Sequence, residues 1–154
     1  MMDASADQKM AIDFARGLVG ELAPGELPLF GAMSRAWFAS PDRVRITTGR
    51  DDNLAFGVAE AGALLTPVLL AACSQVLTYF GQELCRGLAH DAASLVRERL
   101  RKLVLGEQAE LTLSDQQVDR ARQIALKEAR RCRVPESKAE RIADAVSSRL
   151  RSHA

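Results

Sequence analysis

A run of 22 residues, AGALLTPVLLAACSQVLTYFGQ from Ala61 to Gln82, contains no charged side chain, although charged residues make up 27% of the chain. Such a segment must be removed from water, because exposing many neighbouring apolar side chains is unfavourable. A bilayer, which about twenty apolar residues can cross, would shield it, and so would the centre of a helical bundle. Polar residues within the run, including Gln75 near its middle, favour the bundle. Burial in a subunit interface is a third interpretation.

The run belongs to a longer apolar pattern that extends from Leu54 to Leu105. A single helix of that length would measure about 80 Å, far more than the width of a domain of this size. Pro67 therefore predicts a kink, because proline removes an intrahelical hydrogen bond, and Gly81 and Gly87 are candidates for a second interruption. Beyond Gly81 an amphipathic stripe begins, formed by Leu84, Leu88, Leu95 and Leu103 with Ala92, Val96 and Leu100 beside them.

Helical patterns also fill the amino-terminal part of the chain. Apolar residues at four-residue spacing predict a first helix over 4–22. Pro28 is well placed in the first turn of a short second helix. Residues 42–53 are polar, and their brief β-branched alternation has no partner strand, so an ordered loop is expected there. Asp51 to Asn53 are candidates to cap the long helix that follows.

The carboxyl-terminal part is the most clearly specified. Ser114 and Gln117 have the spacing of a capping box, which predicts a helix over 115–132. Pro135 marks the start of a last helix with one apolar face. Residues 111–154 are therefore expected to form a helical hairpin.

The sequence as a whole predicts an all-α protein, a bundle of five to six helices with an apolar central helix and a C-terminal hairpin. A length of 154 residues fits a single domain spanning 1–154, in which 1–50 supply the first helices and a loop and 54–105 the long or broken central helix. The amino terminus lacks the basic start and apolar run of a signal peptide, so a cytoplasmic location is expected.

Candidate chemistry is sparse. Cys73, Cys85 and Cys132 have no metal-binding or redox spacing. His90 and Asp91 are adjacent, but neighbouring helical residues point about 100° apart, which does not suit a base and its orienting carboxylate. No phosphate-binding loop or nucleophile elbow is present. We therefore expect no enzymatic activity, no cofactor, no metal and no small-molecule substrate.

Charge gives little support to nucleic-acid binding. The net charge is +1, and the arginine-rich hairpin also contains many acidic residues. Because duplex binding depends on neutralising several phosphates, we do not expect a nucleic-acid partner.

The expected function is therefore non-catalytic interaction, either with a second copy or with a partner protein. Trp37 and Phe38 are the predicted anchors, since large aromatic side chains dominate many interfaces. Gly57 and Ala61 have the small-xxx-small spacing that lets two helices approach closely.

The alternative is a membrane-associating or membrane-inserting protein that uses the charge-free segment 61–82. In that case a basic cluster would contact anionic headgroups. The cluster comprises Arg97, Arg99, Arg101 and Lys102. A bundle that hides an apolar segment resembles in plan the pore-forming domains of colicins, which implies release of the segment into a membrane. The stretches LTLSDQQVDRARQIALKEAR and RVPESKAERIADAV are similar to small helical proteins of high-GC actinobacteria, a likeness that implies no activity.

Overall fold

The computed structural model describes residues 4–39 and 64–152 of the chain. These residues form helices and connecting turns, with no strand in either range. The helices of the described part are α1 (Ala4–Leu22), α2 (Leu27–Ala39), α3 (Leu65–Cys85), α4 (His90–Val104), α5 (Asp115–Arg131) and α6 (Glu136–Ser152), with a 3-10 turn at Pro24–Glu26. The all-α bundle is confirmed, and the loop expected at 42–53 lies outside the described residues.

Helix α3 is the centre of the bundle and explains the charge-free run. It packs against α1, α2, α4 and α5. From Thr66 to Cys73 every side chain is buried, and Val76, Leu77 and Phe80 continue the buried surface. Only a narrow strip that includes Gln75 is exposed. A helix surrounded in this way has almost no polar face, so the described part of the run is bundle core.

The long apolar pattern is interrupted on both sides of α3. Leu64 has an extended backbone, with φ −58° and ψ 134°, and the helix begins at the next residue. Pro67 therefore lies in the first turn, where a missing N–H disrupts no intrahelical hydrogen bond. The second interruption falls at Gly87, whose φ of +74° favours glycine, and not at Gly81 within α3.

A carboxylate from a distant part of the chain caps the start of α3. Glu26, in the 3-10 turn, accepts hydrogen bonds from the N–H groups of Leu65 (2.9 Å) and Thr66 (2.8 Å) and from Thr66 Oγ1 (2.8 Å). Amides in a first helical turn have no partner within the helix, and the helix dipole favours a negative charge there. Glu26 thereby joins the α1–α2 connection to the central helix.

The C-terminal hairpin forms the most extensive helix pair of the described structure. The predicted capping box is confirmed: Ser114 Oγ accepts from Gln117 N–H (3.1 Å), and Gln117 Oε1 accepts from Ser114 N–H (2.9 Å). An ion pair between Arg122 and Asp144 (2.9 Å) crosses between α5 and α6. Apolar side chains from both helices then close the hairpin against the rest of the core.

The turn between α5 and α6 contains a strained residue, which leads to a stability prediction. Arg133 is exposed and has a φ of +61°, a conformation that costs about 1 kcal/mol for a residue with a Cβ. Arg133→Gly is expected to raise the free energy of unfolding by about 1 kcal/mol in urea denaturation. Arg120→Gly, at an exposed position within α5, should lower it by about as much. Destabilisation by Arg133→Gly would show that the arginine side chain itself stabilises the turn.

Two glycines of α1 provide a second paired prediction. A Cβ at Gly20 would meet no atom within 4 Å, whereas a Cβ at Gly17 would lie 2.0 Å from Nη2 of Arg149 on α6. Gly20→Ala should stabilise the fold by roughly 0.5–1 kcal/mol through helix propensity. Gly17→Ala should stabilise the fold less than Gly20→Ala, because the guanidinium of Arg149 must move to make room for the new Cβ. Thermal unfolding would compare them, and equal effects would show that the Arg149 side chain moves aside without a measurable cost.

Candidate interaction surface

Helix α2 is apolar on both sides, and only one side faces the bundle. Its sequence, LPLFGAMSRAWFA, contains one charged residue, Arg35. Phe30, Ser34 and Trp37 are buried, where α2 meets α1 and α3. On the opposite side Leu29 is 53% exposed, a large fraction for a leucine.

The exposed side of α2 consists mainly of small apolar side chains. Leu29, Ala32, Ala36 and Ala39 are all exposed and follow the 3–4–3 spacing of one helical seam. Three of the four are alanines, which allow another helix to approach closely. Arg35 lies beside the seam with its guanidinium turned back along its own helix towards Gly31. These four residues are called the α2 seam below.

A second exposed apolar patch lies at the start of α4. The amphipathic stripe predicted for this region is divided: Leu100 and Leu103 are buried, but Leu88 is 42% and Leu95 is 53% exposed. Leu84 packs against the core, whereas Leu88 and Leu95 leave much of their surface in water. Ala92 is exposed between the two leucines.

The predicted basic cluster lies on the second half of α4. Arg97, Arg99 and Arg101 are half-buried and Lys102 is exposed. Part of its charge is paired locally. Arg101 donates to Glu98 at 2.9 Å, a hydrogen bond that lowers the pKa of this carboxyl, and Arg99 lies 3.7 Å from Glu110.

The two predicted aromatic anchors lie mostly inside the bundle. Trp37 is 6% exposed. Phe38 is half-buried and stands edge-on to Trp37, with 4.8 Å between ring centroids. With the helices in this arrangement Trp37 offers little surface to a partner, and the anchor role of both residues stays a prediction. Gly57 and Ala61 lie outside the described residues.

A cavity of about 150 Å³ lies between α1, α3 and α4, next to Phe38. Its walls are mainly apolar, with Met10 and Leu77 among them, and Arg97 and Ser74 add polar groups. The Ser74 hydroxyl is buried and has no hydrogen-bond partner in the described structure. The space is sufficient for a few waters or a small apolar molecule.

The residues with catalytic potential do not form a reactive site. Burial raises the pKa of the Cys73 thiol, which keeps it protonated and a poor nucleophile. His90 and Asp91 are both exposed at the start of α4. In residues 4–39 and 64–152, no group of three or more histidine, cysteine or acidic side chains is arranged to hold a metal ion. Nor does any described helix combine the length and apolarity needed to cross a membrane.

The described helices thus define an all-α bundle with two apolar patches on its surface. Comparison with protein-family models, with curated proteins and with solved structures found no match for this chain.

Sequence reasoning overlooked the α2 seam because it expected the aromatic residues to supply the contact surface. The available signal was the near absence of charge in a helix of 13 residues. A helix that is apolar all round is normally covered on all sides.

Proposed function

We propose that this chain is a non-catalytic interaction protein that presents helical surfaces to a second copy or to a partner protein. The observation that supports this function is the exposed apolar side of α2, with Leu29 53% exposed on a helix that has a single charge. Contiguous apolar surface of this kind typically marks an interface. Leu88, just before α4, and Leu95 within it add a second exposed apolar surface.

Charge pairing makes nucleic acid a weaker candidate. Several arginines of the hairpin are already engaged with acidic residues. Arg130 forms a bidentate ion pair with Glu136, and Arg151 lies 3.6 Å from Asp119. Phosphate contacts would have to compete with these pairs.

The proposed function can be tested by removing both apolar patches at once. In the double variant Leu29→Glu with Leu95→Glu, both substitutions fall on exposed positions, so the fold should persist. We expect the wild-type chain to self-associate in sedimentation velocity or to form specific cross-links in its native cells, and the double variant to lose both. The proposal would be contradicted if the wild-type chain stayed monomeric and also formed the same cross-links in cells as the double variant.

Membrane association is a second candidate, supported by the composition of α4. Leu95 is exposed on α4, which also carries Arg99 and Lys102, and Leu88 is exposed just before this helix, as in helices that lie on anionic membrane surfaces. Insertion of segment 61–82 would require more, since the part of it within α3 would have to leave the core.

Flotation with vesicles separates the two candidates. A membrane function predicts binding to phosphatidylserine-containing vesicles, little binding to phosphatidylcholine vesicles, and loss of binding in Leu95→Glu. Absence of the wild-type chain from the vesicle fraction at low salt would eliminate this candidate.

A further inference from the structure

The cavity between α1, α3 and α4 contains a polar group without a partner. Ser74 Oγ is buried in its wall on α3, and no described residue forms a hydrogen bond with it. Buried polar groups in folded proteins are nearly always hydrogen-bonded, because leaving one unpaired costs free energy. A molecule that enters the cavity can supply the missing partner.

Two side chains of opposite charge also line this cavity. Asp7 belongs to α1 and Arg97 to α4, and both are half-buried. Within residues 4–39 and 64–152 neither of them forms an ion pair, with the other or with a third residue. By contrast Arg99, which is also half-buried on α4, lies 3.7 Å from Glu110. The cavity therefore presents one unpaired cation and one unpaired anion to a bound molecule.

The remaining walls and the volume limit what can bind. Met10, Leu77 and Leu100 give the cavity an apolar surface. Its volume of about 150 Å³ is enough for a molecule of roughly the size of benzene. Pockets for drug-sized ligands are larger, about 300–1,000 Å³. The ligand must therefore be small, with an apolar body and a polar head.

We propose that this cavity binds a small α-amino acid with an apolar side chain, such as valine or leucine. The carboxylate accepts hydrogen bonds from the guanidinium of Arg97 and from the hydroxyl of Ser74, and the ammonium group donates to Asp7. The side chain contacts the apolar walls. This inference goes beyond the proposed interaction function and does not depend on it.

The pair of opposite charges favours a zwitterion over simpler ligands. A carboxylic acid without an amino group would place its negative charge near Asp7 and leave that side chain unpaired. An amine without a carboxylate would do the same to Arg97. Only a ligand with both groups pairs both side chains. No histidine or cysteine is among the described residues around the cavity, so the amino acid is bound and not converted.

Isothermal titration calorimetry of the full chain tests the ligand class. L-valine should bind with a dissociation constant of about 10 μM to 1 mM, as suits a ligand with so few atoms. Three probes each lack one part of it: 3-methylbutanoate has no ammonium group, 2-methylpropylamine has no carboxylate, and glycine has no apolar side chain. Each should bind at least about tenfold more weakly than L-valine.

Substitutions locate the site. Arg97→Gln should weaken L-valine binding at least about tenfold, and Arg99→Gln, the matched control on the same helix, should leave it unchanged. Asp7→Asn should weaken the binding of L-valine but not that of 3-methylbutanoate. Circular dichroism would verify that the variants keep their helices.

Ser74→Ala separates a ligand contact from a structural role. It removes the unpaired hydroxyl and introduces a better helix former, so the unliganded protein should melt no lower than the wild type. The same variant should bind L-valine several-fold more weakly. A lower melting temperature with unchanged binding would contradict the role given to Ser74.

Three results would overturn the inference. The first is the absence of saturable binding of L-valine and L-leucine at millimolar concentrations, which would leave water as the content of the cavity. The second is binding of 3-methylbutanoate as tight as that of L-valine. The third is an equal effect of Arg97→Gln and Arg99→Gln. None of them bears on self-association or on cross-linking in cells, so the proposed interaction function would stand or fall separately.

Discussion

Val76→Asp is expected to unfold the protein or to lower its free energy of unfolding by more than about 5 kcal/mol. Val76 is fully buried near the middle of α3. The described part of the charge-free run offers no acidic or basic side chain beside it, and an unpaired carboxylate in an apolar core is strongly disfavoured. Urea denaturation followed by circular dichroism would measure the loss.

The neighbouring residue provides the matched control. Gln75 is exposed on the narrow outer strip of the same helix. Gln75→Asp introduces the same charge one position away, and should cost at most about 1 kcal/mol through helix propensity. If Val76→Asp were tolerated as well as Gln75→Asp, α3 could not be the centre of the bundle. The comparison therefore tests directly why the run lacks charge.

Glu26→Ala is expected to lower the free energy of unfolding by about 3 kcal/mol. The substitution removes an acceptor for three hydrogen bonds and leaves the Leu65 and Thr66 amides unpaired at the start of α3. A hydrogen bond to a charged group is worth about 1.5–3 kcal/mol when buried, and the three bonds of Glu26 are only partly buried, so their combined loss is expected to cost less than the full sum.

Two further variants separate this cap from a general charge effect. Glu26→Gln keeps one acceptor oxygen and should lose about half as much stability as Glu26→Ala. Glu21→Ala removes an exposed acid near the end of α1 and should change the free energy of unfolding by less than about 0.5 kcal/mol. Chemical denaturation would rank the three. A loss for Glu26→Ala no larger than for Glu21→Ala would show that the cap contributes little.

The Glu26 cap is also expected to influence the proposed interaction surface, because it lies next to α2. Glu26 immediately precedes α2 and holds the start of α3. The position of the α2 seam therefore depends on this contact, and Glu26→Ala should weaken self-association as well as stability.

Local signals in the sequence were sufficient for much of the fold. The range of α1 was predicted correctly, because its apolar residues recur at helical spacing. The capping box at Ser114 was predicted because both of its partners lie within four residues. Likewise Gly87 was among the candidates for the second interruption, since glycine tolerates a positive φ.

Other features depended on residues far apart in the chain. Glu26 and Thr66 are separated by 40 positions, so no local pattern pointed to the cap. The stripe on α4 gave no indication of which leucines would be covered. Leu103 is buried and Leu95 is exposed, although both fit the same periodicity. Trp37 was predicted as an anchor from its size alone, but the packing of α2 against α1 and α3 buries it.

The sequence by itself determined which described segments are helical, because helix periodicity and caps depend on residues close in the chain, and it determined that the charge-free run must avoid water, because exposing so many apolar side chains is unfavourable. Only the tertiary structure decided what surrounds that run and which apolar surfaces remain exposed. A helix can bury one side or both, depending on how many other helices pack against it. In α2 one side is left uncovered by the described helices, and Leu29 is in contact with water.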